Sequence, residues 1–200
     1  MAGASSPARS SGRWRWSVPR TTDRSRNTRR PGGPEHDRQC RYKVVEEAAT
    51  DVIALGHALG DDEPWQQHDF IDKVVTLQRQ RQDSVRTASG ATVFFDRSPV
   101  CTLALSRYLG CTSSRLLASE ISRVVGEGTY ETTVFFIRNQ GFVQPTPARR
   151  ISFEESLVFE RLHEEAYRNL GFHLVDVPAG PLADRVALIG QTVSQLQRAE

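Results

Sequence analysis

From Tyr42 onward, apolar and polar positions follow two alternating rhythms. Four short runs are apolar at successive positions: YKVVEEA from residue 42, TVFFDRS at 92–98, TVFFIRN at 133–139 and FHLVDVP at 172–178. Their length and continuity predict four strands buried on both faces. Between and after them the apolar positions recur every three or four residues, the spacing of a helix face. Phe70, Val74 and Leu77 share one such face. Ser152 and Glu155 form an S-x-x-E capping box, which starts a helix continuing through Phe159, Leu162, Ala166 and Leu170. Gly171 ends it, because a residue without Cβ accepts the left-handed closing conformation. A last helix begins at Pro181 and runs through Leu182, Val186, Ile189, Val193 and Leu196. Strands followed by helices predict an α/β fold, a parallel sheet with helices on both faces.

Residues 1–41 do not share this regularity. They hold ten Arg against three acidic residues, a balance of +7, which leaves −5 for residues 42–200 given the net +2 of the whole chain. Trp14, Trp16 and Val18 are their only large apolar groups, so they are expected to form a disordered Arg/Ser/Pro-rich arm ahead of one domain at 42–200. Nucleic-acid binding through RWRW and RSRNTRR is the weaker alternative, because Arg neutralises phosphate and Trp stacks on bases. An organelle transit peptide is a second reading of the same composition. No apolar run approaches the length of a membrane span, and the chain is expected to be soluble and cytoplasmic. Cys40, Cys101 and Cys111 are odd in number, lack C-x-x-C spacing and stand apart from the five histidines, so neither a zinc site nor a disulfide frame is expected.

In parallel sheets chemistry gathers at the carboxyl ends of the strands. The polar residues there are Glu46 and Glu47, Asp96 and Arg97, Arg138, and Asp176. Asp96-Arg97 is the most informative pair. It places a carboxylate able to hold a hydrated Mg²⁺ beside a guanidinium able to clamp a phosphoryl group, directly after a Phe-Phe strand. A strand-end ion pair is the plain structural alternative.

VFFDRSPVCTLALSRYLG, followed by a strand, an Arg-bearing segment and FEESLVFERLHEEAYRNLGFHLVDVP, resembles the P-loop AAA family typified by the kinase half of NadR. VVEEAATDVI looks like that family's second strand and following helix, so the resemblance covers residues 42 to 190. It implies a P-loop NTPase-like fold and an ATP-dependent kinase or ATPase using ATP and Mg²⁺, with a phosphoryl acceptor the sequence does not name. Glu47 would then serve the substrate side, Asp96 the metal, and Arg97 the phosphoryl group. Arg149 and Arg150, just before the capping box, would be lid arginines closing over the nucleotide.

One part of the family pattern is missing. The G-x-x-x-x-G-K-[ST] loop, whose backbone N–H groups cradle phosphates, has no counterpart. Gly32-Gly33-Pro34 starts like one and continues into acid, imidazole and guanidinium groups, while the only lysines are Lys43 and Lys73. Residues 1–41 are therefore expected to replace the authentic start, through frameshift with deletion or a displaced gene start. In the family's sheet order the first strand lies in the middle. Its loss would leave two interior strands with unpaired backbone groups and impair ATP binding and turnover. A catalytically inactive domain that binds a partner is the alternative function.

Overall fold

A computed structural model describes residues 42–85, 92–111, 114–141 and 151–199. The expected arm at 1–41 and the lid arginines Arg149 and Arg150 lie outside the described residues. The elements run β1 (Tyr42–Val45), α1 (Ala48–Ala58), a short 3-10 turn (Pro64–Gln66), α2 (Phe70–Asp83), β2 (Thr92–Phe95), α3 (Pro99–Tyr108), α4 (Arg115–Gly126), β3 (Thr133–Ile137), α5 (Phe153–Asn169), β4 (His173–Val177) and α6 (Leu182–Ala199). The α/β class expected from the alternation is the one observed.

The four strands form two parallel pairs. Tyr42 to Val45 of β1 pair in register with Thr92 to Phe95 of β2, and Thr133 to Ile137 of β3 with His173 to Val177 of β4. Among the described residues β2 and β3 are not hydrogen-bonded to each other, so the sheet is divided at its middle. The strands are less covered than their apolar runs predict: Tyr42, Lys43 and Val44 of β1, which point to alternate faces, are all exposed.

Helix ends follow local chemistry. Ser152 caps α5 by accepting the Glu155 N–H at 3.1 Å while Glu155 Oε2 accepts the Ser152 N–H at 2.7 Å, completing the capping box. Gly171 sits at φ +84°, the left-handed conformation its position after α5 requires. Ser98 and Ser114 cap α3 and α4 in the same way, accepting from Val100 and Leu117. Gly56 in α1 lies where a Cβ would strike the Pro64 ring, so its lack of a side chain lets the 3-10 turn close on the helix.

Two apolar clusters hold these elements. Ile53 of α1, Phe70, Val74 and Val75 of α2, and Leu117 of α4 are buried together beside Trp65. Truncating Phe70, 2 % exposed, to alanine would cost about 3–5 kcal/mol. Val100, Cys101 and Ala104 of α3 pack on Ala166 and Tyr167 of α5, with Val134 of β3 and Leu174 of β4 against them. This second cluster packs α3 and α5 on one face of the β3–β4 pair. α6 is only half engaged: Val193 is buried, but Leu182, Val186 and Leu196, expected on its inward face, are exposed.

Candidate functional site

The carboxyl ends of β1 and β2 bring Glu47, Asp96 and Arg97 together. Glu47 follows β1 and opens α1, where its Oε2 accepts the Thr50 hydroxyl at 2.8 Å. Arg81 of α2 secures the chain there, donating to the Glu46 and Glu47 carbonyls at 2.8 and 2.7 Å and pairing with Asp51. Asp96 extends the β1–β2 ladder, its N–H donating to the Val45 carbonyl at 2.8 Å. Arg97 then turns sharply, with φ 75°, among the described residues the one non-glycine in the left-handed region. Such a conformation costs about 1–2 kcal/mol for an L-residue. It aims the guanidinium at Glu47, with Arg97 Nε 3.9 Å from Glu47 Oε1.

His163 of α5 completes the cluster. Its Nδ1 lies 2.8 Å from the Phe159 carbonyl, which can only accept, so Nδ1 carries the proton. Nε2 is then a lone-pair acceptor, 3.4 Å from Arg97 Nη1. Burial, with Arg97 close by, pushes the imidazole pKa down to about 3, so the ring is neutral at physiological pH. Burial acts on Glu47 in the opposite sense: desolvation raises its carboxyl pKa above the usual value, against the lowering effect of Arg97 and the Thr50 hydrogen bond.

Glu47, Arg97 and His163 border a cavity of about 40 Å³, which Asp96 does not line. Ile53, Phe70, Val74, Leu105 and Phe159 form apolar walls, and Gln78 and Thr102 add a polar edge where the Thr102 hydroxyl donates to Gln78 Oε1 at 2.9 Å. Cys101 also lines it, its Sγ 3.0 Å from the Tyr167 hydroxyl, which lies 2.8 Å from Ser98 Oγ. Cys101 and Cys111 are free thiols. A largely apolar pocket with one desolvated carboxylate, one guanidinium and one neutral imidazole suits proton abstraction from a small hydroxyl-bearing molecule next to an anion-stabilising group.

The other strand-end residues do not join it. Arg138 pairs with Glu164 and Glu160 of α5 at 3.0 and 3.2 Å and with Asp176 of β4 at 2.7 Å, and its guanidinium lies 4.7 Å from the Phe136 ring centre. Arg138 and Asp176 thus fasten α5 to the β3–β4 pair. Lys73 pairs with Asp69 at 2.9 Å on α2, and Lys43 stands exposed on β1. Neither is in a phosphate-binding loop. Among the described residues no three His, Cys, Asp or Glu side chains are grouped to hold a metal, and no helix is long and apolar enough to cross a membrane.

Sequence reasoning missed His163, Thr50 and Arg81. His163 stands four residues after Phe159 and four before Tyr167, within the inward stripe of α5, and a polar residue in an apolar stripe is the signal that could have found it. Thr50 and Arg81 carry no such mark.

A family profile described as AAA domain matches residues 36–185, three quarters of the chain. No curated protein and no solved structure matches.

Proposed function

The chain belongs to the AAA domain family, and on that premise we propose that it is a nucleotide-dependent phosphoryl-transfer domain that keeps the acceptor side of its cleft and lacks its phosphate cradle. The observation that carries this reading is Glu47: a carboxyl desolvated in an apolar pocket at the end of β1, 3.9 Å from the Arg97 guanidinium. With its pKa raised above the usual carboxyl value by burial, such a carboxylate is a better base toward an acceptor hydroxyl than an exposed one. Arg97 supplies donors to a phosphoryl oxygen, and the neutral His163 acceptor holds that guanidinium without competing for the charge. Asp96, at the end of β2, is the carboxylate for a hydrated Mg²⁺, an ion that needs only one or two protein carboxylates beside phosphate.

Asp96 offers a single carboxylate to a hydrated Mg²⁺, and the sequence carries no motif for a triphosphate. Nothing in the sequence supplies the converging N–H groups and the ammonium that phosphates require, since the chain has no G-x-x-x-x-G-K-[ST] and its two lysines lie on β1 and α2. Alone, the chain would act as an acceptor-binding protein with impaired turnover. Arg149 and Arg150 are proposed to close over the cleft.

Grafting a family-type strand, phosphate loop and helix ahead of Tyr42 tests the reading. ATPase or kinase activity should appear, and Asp96→Asn or Arg97→Ala should lower it by about 10²-fold or more. Arg149→Ala and Arg150→Ala should act in the same direction more weakly. Arg168→Ala, exposed and paired with Glu164 on α5, should leave it unchanged. Equal activity in all these variants would reduce the Asp96-Arg97 pair to a structural feature.

A further inference from the structure

The cavity beside Glu47 holds a further polar side chain whose hydrogen bonding is incomplete. Phe70, Val74 and Gln78 recur every four residues on α2, so they share one face, and all three line the cavity. Phe70 and Val74 are apolar walls. Gln78 takes the next position in the stripe and is 8 % exposed. A primary amide carries two donors as well as its oxygen. Oε1 accepts the Thr102 hydroxyl at 2.9 Å, whereas among the described residues the amide nitrogen has no hydrogen-bond partner. Nor is that nitrogen shut inside protein, as the unpartnered side-chain nitrogens of His57 and Arg185 are.

The open space next to it is small. Gln78 and Arg97 are the two side chains that border both this cavity, of about 40 Å³, and a lesser one of about 10 Å³ beside Asp96 and Arg81. The lesser has room for no more than about one water, and the larger for about three, or for one small organic molecule. A buried donor left unpaired is costly, so the amide nitrogen is a place for a ligand's acceptor atom. Arg97, at the same boundary, lies 3.9 Å from Glu47. A molecule in the larger cavity thus meets Gln78 and the Glu47–Arg97 pair together.

We propose that Gln78 is a specificity-determining residue of this pocket, donating its amide N–H to the carbonyl oxygen of a small uncharged molecule whose hydroxyl lies toward Glu47. Resting on the acceptor-side reading above, this makes the acceptor a hydroxy-carbonyl compound. Thr102 fixes the amide: with its hydroxyl on Oε1, the nitrogen is the end left for the ligand, and the ligand must bring an acceptor to it. A carbonyl oxygen does this without carrying a hydrogen of its own into a pocket walled by Ile53, Phe70 and Leu105. A ligand charge would enter beside Glu47 and Arg97 with no counter-charge of its own, so an uncharged molecule is favoured.

Titration of the full chain followed by proton–nitrogen correlation NMR tests this, reading the Gln78 side-chain amide and the backbone amides of Thr50 and Ile53, which line the cavity with Glu47. The probes are hydroxyacetone and methallyl alcohol, which differ only in a carbonyl oxygen replaced by a methylene, with glycolate as the charged counterpart. Hydroxyacetone should shift all of these signals saturably, and methallyl alcohol should bind about 10-fold more weakly. Gln78→Met should bind the two alike, and the comparison on the unmodified chain stands whether or not that variant folds. Equal binding of the two probes, with Thr50 and Ile53 shifted and Gln78 unmoved, would overturn the assignment and leave the hydroxyl site beside Glu47 in place. Absence of any shift, with the Gln78 amide in contact with water, would show that water alone serves it and would overturn the assignment too. Tighter binding of glycolate than of hydroxyacetone would contradict an uncharged acceptor. Activity of the grafted chain tests the phosphoryl-transfer reading independently of these probes.

Discussion

The β1–β2 and β3–β4 pairs end in similar residues and use them in opposite ways. Arg138, at the end of β3, meets three carboxylates, those of Glu160, Glu164 and Asp176, and its guanidinium is held charged by the hydrogen bonds it donates to Glu164 first and to Glu160 after it. Glu164 titrates below its usual range for the same reason, led by its hydrogen bond to Arg138. At the end of β1, burial dominates Glu47 and raises its pKa despite Arg97. Position at a strand end therefore does not make a site. What separates the two is whether pairing or desolvation prevails: the first yields a scaffold, and the second leaves a carboxylate that gains by giving up its charge or using it.

Removing the scaffold's centre should have the largest effect. Arg138→Met would leave Glu160, Glu164 and Asp176 close together without their cation, and should destabilise the fold by about 3 kcal/mol in urea denaturation. A loss below about 0.5 kcal/mol would mean that this network is a solvated surface feature.

The next effect separates the halves by pH. His163 has its folded pKa lowered to about 3 from an ordinary 6.5, so its contribution is full above pH 6.5 and lost progressively as pH falls toward 3. The slope approaches 1.4 kcal/mol per pH unit, which makes a loss of about 2 kcal/mol by pH 5. His163→Gln should remove this slope from the stability–pH curve, whereas substitutions around Arg138 should leave it in place. An unchanged slope in the variant would contradict the buried neutral imidazole.

Glu47 gives a smaller effect of the other sign. Its folded pKa is raised, so its stabilising contribution is present below the usual carboxyl pKa of 4.5 and is lost as pH rises through the folded value. Glu47→Gln should then be more stable than the parent at pH 7 and indistinguishable from it near pH 4. A variant less stable at pH 7 would show that pairing with Arg97 outweighs desolvation, and the two halves would cease to differ in kind. The smallest change is expected for Arg168→Ala, an exposed partner of Glu164, at less than about 0.5 kcal/mol in the same denaturation assay.

Much of this was legible in the sequence, for identifiable reasons. Apolar runs marked β2, β3 and β4 to within a residue or two at their starts, and Ser152, Glu155 and Gly171 marked both ends of α5, because capping and termination are local chemistry. The Asp96-Arg97 pair was found because it follows a strand directly. Periodicity could not reveal that β1 stays exposed or that the strands divide into two pairs. A run of apolar residues looks the same whichever neighbours it finds. Nor could it find Thr50, Arg81 and His163. They reach Glu47 and Arg97 from α1, α2 and α5, and what a helix face meets is settled by tertiary packing. His163 alone left a trace, as a polar residue inside the Phe159–Ala166 stripe.

The central claim is that the acceptor side of the cleft is present without a phosphate cradle. Calorimetric titration of the full chain with Mg-ATP tests it most directly. The account predicts no saturable heat at micromolar nucleotide, because the sequence carries no G-x-x-x-x-G-K-[ST] and its two lysines lie on β1 and α2. A micromolar dissociation constant, abolished by Arg97→Ala and unaffected by Arg168→Ala, would show that the Arg97 end of the pocket binds the nucleotide itself and would contradict the claim.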